Sequence, residues 1–422
     1  MKRYSSTRRQ FLEQVAAVGA TGVAGGCARL GSATEPTAAP VLVARNQVSR
    51  RMLGANDRIQ CGFIGIGNRG ASLLGSVLER DDVDVVAVTD IHDAALAKAA
   101  ENCRKQYADV RSYGVFEEMI EKERLDAVVI ATPDHIHTPA ILNALDAGLD
   151  VYTEKPMTLT WEQARQVRDR ARETGAVVQV GTQLRSMTMY QKAREAVQSG
   201  AIGKLVAVQV HRHAGGSGSH RKREPVTEAD VRWDLFLRDT KHYPFDPQRF
   251  LNWRRYVEYS NGAAGDLLMH HLDIFHFITR CGMPERVMSV GGLYEMKDGR
   301  TCPDTIAVLL EYPEKFLFTY TTTYVNDKFG LNERYIGSAG VLEVREMDEM
   351  SIWRGDQEEI VPSAGVLNGP HLENFFECMR TREQTIAPVE AGCMGATCCH
   401  MAVLSEQSGE SVKWDAALGK VV

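Results

Sequence analysis

The chain has 422 residues, of which 44% are hydrophobic and 25% are charged; this composition is typical of globular proteins and unlike that of disordered or collagen-like chains. The length predicts two or three domains. The net charge of −6 argues against a nucleic-acid-binding protein, which would carry a basic excess. The nine cysteines show no paired C-x-x-C spacing, which argues against a zinc module.

Residues 1–27 resemble an export signal. Residues 7–12 (TRRQFL) match the twin-arginine pattern, and a short apolar stretch over residues 15–25 follows. This stretch is shorter than the roughly 20 residues that span a bilayer. Cys27 follows a loose lipoprotein cleavage box, so both a lipid-anchored and an unmodified product remain open. We therefore expect a periplasmic or otherwise exported protein, in which residues 28–57 form a linker.

A glycine-rich turn follows the first predicted strand. Residues 59–64 form this strand and run directly into residues 65–70 (GIGNRG), after which residues 71–78 have helical spacing. Glycines at such a junction allow a tight turn, a close approach to a pyrophosphate and close packing of helix on strand. The helix N-terminus offers free N–H groups to the phosphates. The sequence therefore predicts a dinucleotide site formed by Gly65, Gly67, Asn68, Arg69 and Gly70.

An acidic residue ends the next predicted strand. This strand covers residues 83–89 and leads into Asp90. A carboxylate at this place accepts hydrogen bonds from ribose hydroxyls and repels a 2′-phosphate. The sequence therefore favours NAD over NADP, although Arg69 partly offsets this preference.

Two more buried strands carry polar residues at their carboxyl ends. Residues 126–132 (DAVVIAT) lead to Pro133 and His137, and residues 150–153 lead to Glu154 and Lys155. Predicted helices over residues 138–147 and 161–174 alternate with these strands and with a strand over residues 176–180. This alternation predicts a doubly wound parallel sheet, with ligands at the carboxyl ends of the strands.

We place this α/β domain at residues 58–181 and add Thr132, Pro133, His137, Glu154 and Lys155 to its cofactor site. His135 and His137 fall on one side of a segment that we expect to be extended. No third ligand lies nearby in the sequence, so we predict no metal site.

Residues 182–410 have a different pattern. A helix over residues 191–197 precedes strand candidates over residues 205–213, 286–293, 304–312, 315–324 and 333–336, which short turns connect. Sequential strands of this kind predict an α+β domain with a large, mostly antiparallel open sheet. One face of such a sheet remains available for a substrate or a second subunit, and we expect a homo-oligomer, a dimer or tetramer. Residues 411–422 form a final segment.

Residues 262–273 (GAAGDLLMHHLD) combine a glycine-rich start with a helix. Asp266 is a candidate N-cap, and His270, four residues later, lies on the same helical face. Oxidation of an alcohol needs a base for the hydroxyl proton, and the pKa of histidine lies near working pH. His271 is rotated about 100° from His270 on the helix.

Four residues are substrate candidates: Gln183, Arg185, His213 and His271. Trp233, Trp253 and Arg254 offer a stacking surface for a sugar, although core packing is the more usual role of tryptophan.

Four motifs, taken in order, resemble the glucose–fructose oxidoreductase/inositol dehydrogenase (Gfo/Idh/MocA) family, in particular its exported twin-arginine branch. They are Gly65-x-Gly67-x-x-Gly70, Thr132-Pro133-x-x-x-His137, Glu154-Lys155-Pro156 and Asp266-x-x-x-His270. The resemblance implies a nicotinamide enzyme in which Lys155, Asp266 and His270 are catalytic and converge on the reacting hydroxyl. Residues 267–269 (LLM) are bulkier than is usual in the family, so the substrate does not follow from any relative.

These expectations together describe an exported, NAD-dependent oxidoreductase that acts on a sugar, polyol or glycoside. Because no NAD pool exists outside the cytoplasm, we expect a tightly bound and internally recycled cofactor. One alternative is an NAD-using glycosidase or epimerase that works through a transient ketosugar. A second is a non-catalytic protein that binds sugar or NAD. We expect no nucleic-acid partner. We expect contact with a membrane only through a lipid attached to Cys27.

Overall fold

The computed structural model describes residues 53–54, 57–107, 109–215, 225–347, 349–361 and 368–422. The predicted export signal, Cys27 and most of the linker lie outside these residues.

The N-terminal half forms a parallel sheet of six strands in the order β3-β2-β1-β4-β5-β6. Its central strands are buried on both faces, which explains their continuous apolar sequences. The strands are β1 (Ile59–Ile64), β2 (Val83–Thr89), β3 (Arg111–Tyr113), β4 (Ala127–Ile130), β5 (Asp150–Glu154) and β6 (Val178–Gly181). The helices are α1 (Asn68–Leu78), α2 (Asp93–Arg104), α3 (Phe116–Lys122), α4 (Asp134–Asp146) and α5 (Trp161–Thr174). This sheet confirms the predicted doubly wound architecture.

The C-terminal half forms a ten-stranded sheet in the order β14-β13-β12-β11-β7-β10-β9-β8-β15-β16. Only β7 and β10 pair in parallel, so the prediction of a large, mostly antiparallel sheet is confirmed. Its strands are β7 (Leu205–Arg212), β8 (Arg286–Gly292), β9 (Thr305–Tyr312), β10 (Phe316–Thr323), β11 (Leu331–Gly337), β12 (Val341–Arg345), β13 (Glu349–Arg354), β14 (Gln357–Val361), β15 (Val412–Asp415) and β16 (Lys420–Val421).

In the part of the chain that the structure describes, six helices follow the parallel strands in sequence: α6 (Thr188–Gln198), α7 (Trp233–Leu237), α8 (Pro247–Leu251), α9 (Met269–Thr279), α10 (Asn368–Thr381) and α11 (Val389–Ser408). Helix α9 is buried on almost every side, as expected for a helix between a sheet and other helices. None of the described helices has the length and apolarity that a membrane crossing requires.

Two late helices connect the two halves. Leu372 and Phe375 of α10 pack in the core of the parallel sheet. Helix α11 contributes Val389 and Ala396 to a core beside the parallel sheet, and Met401 to the core of the large sheet. One continuous helix therefore belongs to both cores.

The start of α4 differs from the prediction. The helix begins at Asp134, so His135 and His137 lie in its first turn and not on an extended segment. Proline before a first turn that carries an acid favours this early start. Residues two apart on a helix point in very different directions. His135 contacts the carbonyl oxygen of Phe236, whereas the two ring nitrogens of His137 lie 2.8 and 3.0 Å from the carbonyl oxygens of Pro156 and Thr132.

Candidate functional site

A cleft of about 1720 Å³ follows the carboxyl ends of the parallel strands and reaches the start of α9. It has the position that ligands occupy in doubly wound sheets. The cleft is lined by many of the predicted site residues, namely Gly65, Gly67, Asn68, Arg69, Asp90, Thr132, Pro133, Glu154, Lys155, Gln183, Asp266 and His270.

Each of the three glycines in the first turn has a different local environment. Gly65 has a φ of +86°, and a Cβ atom there would lie 2.9 Å from the backbone of Ala131. A Cβ atom on Gly70 would lie 2.0 Å from the carbonyl oxygen of Gly65, so this residue permits the close packing of α1 on β1. A Cβ atom on Gly67 would meet nothing within 4 Å, so this residue borders open space. The turn therefore leaves room for a phosphate group next to the N-terminus of α1.

Asp90 places a carboxylate at the cleft, directly after β2. Its two oxygens accept hydrogen bonds from the backbone N–H groups of Ile66 (2.6 Å) and His92 (2.8 Å). Burial raises the pKa of Asp90. The glycine turn and this acceptor together fit the pyrophosphate and the ribose of a dinucleotide.

Glu154 is the centre of a polar cluster between the glycine turn and β5. Arg69 forms an ion pair with it through Nε, 2.7 Å from Oε1. The Gln183 amide donates to the same oxygen at 2.9 Å and contacts the Tyr152 hydroxyl at 2.9 Å. Gln183, a substrate candidate, therefore holds Glu154 in place at the wall of the cleft.

Lys155 and Asp266 join the two halves of the protein inside the cleft. The lysine Nζ donates to the Asp266 carbonyl oxygen at 2.6 Å and to its Oδ1 at 3.0 Å. Arg254 approaches the same Oδ1 at 3.3 Å through Nε. Burial alone would raise the pKa of Asp266, but the charges of Lys155 and Arg254 outweigh burial and lower it well below its usual range.

The expected N-cap role of Asp266 is not what the structure shows. The residue lies inside a π-helical turn, Ala264–Leu268, and among the described residues its side chain accepts hydrogen bonds from Lys155 and Arg254. Leu268 occupies the N-cap position of α9. The carboxylate points to the two cations instead, because their charges stabilise it more than a neutral N–H group does.

His270 follows Asp266 in the first turn of α9. Its Nδ1 atom is buried and has no hydrogen-bond partner among the described residues. Burial, together with the charge of Lys155, lowers the pKa of His270 well below its usual value. The imidazole is therefore neutral at pH 7 and is available as a proton acceptor.

Three substrate candidates lie outside this cleft. Arg185 is buried and forms an ion pair with Asp273 of α9, with 2.8 Å between Nε and Oδ2. His271 is buried on another face of α9, where it contacts Glu333 and stacks on Tyr320. The Nδ1 atom of His213 lies 2.8 Å from the carbonyl oxygen of Lys328. The structure brings none of these three side chains together with Lys155 and His270.

Two polar residues at the Lys155–His270 end of the cleft go beyond the sequence prediction: Arg254 was expected only as part of a stacking surface, and Asp134 was not predicted. Arg254 lines the cleft, and its guanidinium packs on the Trp253 ring with 4.1 Å to the ring centroid. Asp134 is buried beside it and accepts a hydrogen bond from Ser260 Oγ at 3.2 Å. Burial raises the pKa of Asp134 to about 7. Its position directly after Pro133 was the sequence signal that could have found it.

Two further observations concern the position of Trp233 and possible metal ligands. Trp233, the other proposed stacking residue, is buried against Phe236 with 4.8 Å between ring centroids. Within the described ranges, no group of three His, Cys, Asp or Glu side chains is arranged to hold a metal ion.

Comparison with known proteins gives several relatives. The chain is 25% identical to a trans-1,2-dihydrobenzene-1,2-diol dehydrogenase of Mus musculus over 77% of this chain and 89% of the relative. It is 30% identical to a glycosyl hydrolase family 109 protein of Shewanella baltica, over 40% of this chain and 37% of that protein. The match to an uncharacterized oxidoreductase of Streptococcus pneumoniae spans 60% of that protein's length.

Among solved structures, an aldose-aldose oxidoreductase from Caulobacter crescentus, complexed with glycerol, has the same fold. The TM-score is 0.68 at 18% identity, over 84% of this chain and 99% of the other. Two family models also match: the NAD-binding Rossmann fold of an oxidoreductase family at residues 59–182, and the C-terminal alpha/beta domain of the same family at residues 194–414. The protein therefore belongs to the Gfo/Idh/MocA family of oxidoreductases.

Proposed function

We propose that the protein is an NAD-dependent oxidoreductase that acts on a hydroxyl group of a sugar, polyol or glycoside. One observation carries the proposal: the Lys155–Asp266 pair lies beside the neutral His270 in the same cleft that the glycine turn and Asp90 border. The cleft therefore combines a place for a dinucleotide with a cation and a proton acceptor.

The side chains divide the chemistry between them. A bound nicotinamide supplies the acceptor for the hydride that leaves the carbinol carbon. The Lys155 ammonium has three donors and directs two hydrogen bonds to Asp266, which leaves one for the substrate oxygen. His270 accepts the hydroxyl proton. Donors that stabilise a developing oxyanion typically contribute about 10²- to 10³-fold in rate.

We propose NAD and not NADP as the cofactor, because the Asp90 carboxylate would repel a 2′-phosphate.

The proposal that the protein is exported rests on the twin-arginine pattern at residues 7–12. An exported enzyme meets no NAD pool, so we propose that the cofactor is loaded before export and is recycled on the enzyme by alternating oxidation and reduction.

We propose that the protein forms a homo-oligomer. Apolar side chains on one face of the large sheet are 39% to 63% exposed: Met288, Val290, Leu309 and Leu317. Sedimentation of the purified protein tests this state, and a monomer at micromolar concentration would contradict it.

A second candidate function is supported by the alignment with the family 109 glycosyl hydrolase. In this case the same site would oxidise a glycoside and later reduce it again. The transient ketone would acidify the neighbouring C–H group and so permit elimination of the aglycone or inversion. Product analysis separates the two functions: an aglycone without net NADH indicates the glycosidase, and a ketosugar with an equivalent of NADH indicates the dehydrogenase.

The proposed site is tested with Lys155→Ala and His270→Ala in protein that carries its nucleotide. Both variants are expected to lose turnover but to retain the nucleotide, measured by extraction and mass spectrometry. Lys122→Ala and His242→Ala, which replace exposed residues outside the cleft, are the matched controls. Wild-type rates in both cleft variants would refute the assignment.

A further inference from the structure

The catalytic end of the cleft contains a second cation besides Lys155. Arg254 lies in the short turn Trp253–Arg255 and is 47% exposed at its side chain. Among the described residues, its hydrogen bond to Asp266 uses Nε alone. The two terminal nitrogens, Nη1 and Nη2, therefore remain available to a ligand in the cleft.

The direction of this guanidinium is fixed on two sides. The Trp253 ring supports its plane at 4.1 Å, and Asp266 holds its Nε atom. A guanidinium that is stacked and held in this way loses little further conformational entropy when it binds a ligand. Its two terminal nitrogens form the planar fork that matches the two oxygens of a carboxylate.

The charges around this fork are not balanced. Arg300, another arginine that lines the cleft, already forms an ion pair with Asp298 at 2.7 Å. Asp266 forms ion pairs with both Lys155 and Arg254, so one negative charge is shared between two positive charges. Asp134 is a second acid at this end; burial raises its pKa to about 7, so it is a weaker source of negative charge than an ordinary aspartate. His270 is neutral, so this corner keeps a positive excess.

The Tyr324 hydroxyl adds a neutral donor to the same end of the cleft. Tyr324 lines the cleft, and burial raises the pKa of its phenol well above the usual value. The phenol therefore keeps its proton and can donate a hydrogen bond to an anion.

From this arrangement we infer that the substrate is an acidic sugar, and that its carboxylate binds the Nη1 and Nη2 atoms of Arg254 while its reacting hydroxyl lies between Lys155 and His270. The inference rests on the proposed function and specifies its substrate class. Both oxygens of a carboxylate match this single planar fork.

The test compares matched sugars on nucleotide-loaded protein. The compounds are D-galacturonate and D-galactose, D-glucuronate and D-glucose, the methyl ester of each acid, and glucose 6-phosphate. Each is titrated by calorimetry and assayed for NADH formation. Wild-type protein is expected to bind at least one acid tenfold or more tightly than its neutral partner and its ester. Arg254→Gln is expected to reduce this ratio to about twofold or less, while the protein keeps its nucleotide.

Arg334→Gln is the matched control. This arginine is 48% exposed, is paired with Glu343 on the large sheet, and lies outside the cleft, so the variant is expected to keep the wild-type preference. Four results would each overturn the inference. The acids and the neutral sugars could bind equally, or the preference for acids could survive Arg254→Gln. Glucose 6-phosphate could bind more tightly than any acid, or none of the compounds could bind. Turnover of a neutral sugar without a preference for acids would refute the substrate class alone, whereas failure to retain any nucleotide would refute the proposed function.

Discussion

Replacing Asp134 with asparagine is expected to change how the stability of the protein depends on pH. The carboxyl group is only 4% exposed and accepts a hydrogen bond from Ser260. Burial raises its pKa to about 7 from a reference of 3.8, although the charges of Arg254 and Lys155 act in the opposite direction. Asparagine has nearly the same shape and can still accept the Ser260 hydrogen bond, but it cannot ionise.

The sign and size of the effect follow from proton linkage. Between pH 3.8 and 7 the folded state binds the proton more tightly than the unfolded state, so the free energy of unfolding decreases as the pH rises. A difference of about three pH units corresponds to about 4 kcal/mol in full, at about 1.4 kcal/mol per unit. About 2.5 kcal/mol of this falls between pH 5 and pH 8.

Urea unfolding of wild type and Asp134→Asn at pH 5 and pH 8 measures this difference. The wild-type protein is expected to lose about 2.5 kcal/mol more than the variant over this interval. Asp146→Asn, at the other end of the same helix and 54% exposed, is the control and is expected to follow the wild type. Parallel pH dependences for wild type and Asp134→Asn would show that the buried carboxyl group does not titrate in this range.

Four further outcomes are expected. Gly67→Ala should leave the free energy of unfolding unchanged but lower NAD affinity at least tenfold in fluorescence titrations, because its Cβ atom would occupy the open space of the turn. Gly70→Ala should destabilise the protein by about 1–3 kcal/mol in urea unfolding, because its Cβ atom would overlap the carbonyl oxygen of Gly65. Asp90→Ala should raise the NADP-to-NAD ratio of affinities at least tenfold. Because burial lowers the pKa of His270, kcat/KM should fall only below about pH 6.5, and an acid limb centred above that value would contradict the proposed base.

The parallel half of the fold could be predicted well from the sequence. The strand Val83–Thr89 has the predicted bounds, because strands that are buried on both faces appear as continuous apolar runs between turn residues. The strands β12 to β14 were not predicted. Four of the five residues in β14 are exposed, so hydrophobic alternation, the signal that identifies a half-buried strand, is absent there.

Some residues of the candidate site could likewise be predicted from the sequence, and others could not. Lys155 could be found because it directly follows a buried strand, and the carboxyl ends of parallel strands meet at one edge of the sheet. The position of Arg185 could not be found, since its partner Asp273 is 88 residues away and only the folded chain brings them together. An arginine after a strand end has the same local pattern whether it faces the cleft or a buried acid.

The π-helical turn at Ala264–Leu268 explains why the spacing of Asp266 and His270 did not reveal their relationship. In a regular α-helix, residues four apart lie on one face, which predicts a carboxylate that orients the imidazole. Here the N–H group of Met269 reaches back five residues to the Ala264 carbonyl oxygen, and this wider turn directs the Asp266 carboxylate and carbonyl oxygen to Lys155. Such turns are frequent at functional sites. We therefore propose that the acid stabilises the ammonium that polarises the substrate oxygen, and that the neutral imidazole accepts the proton.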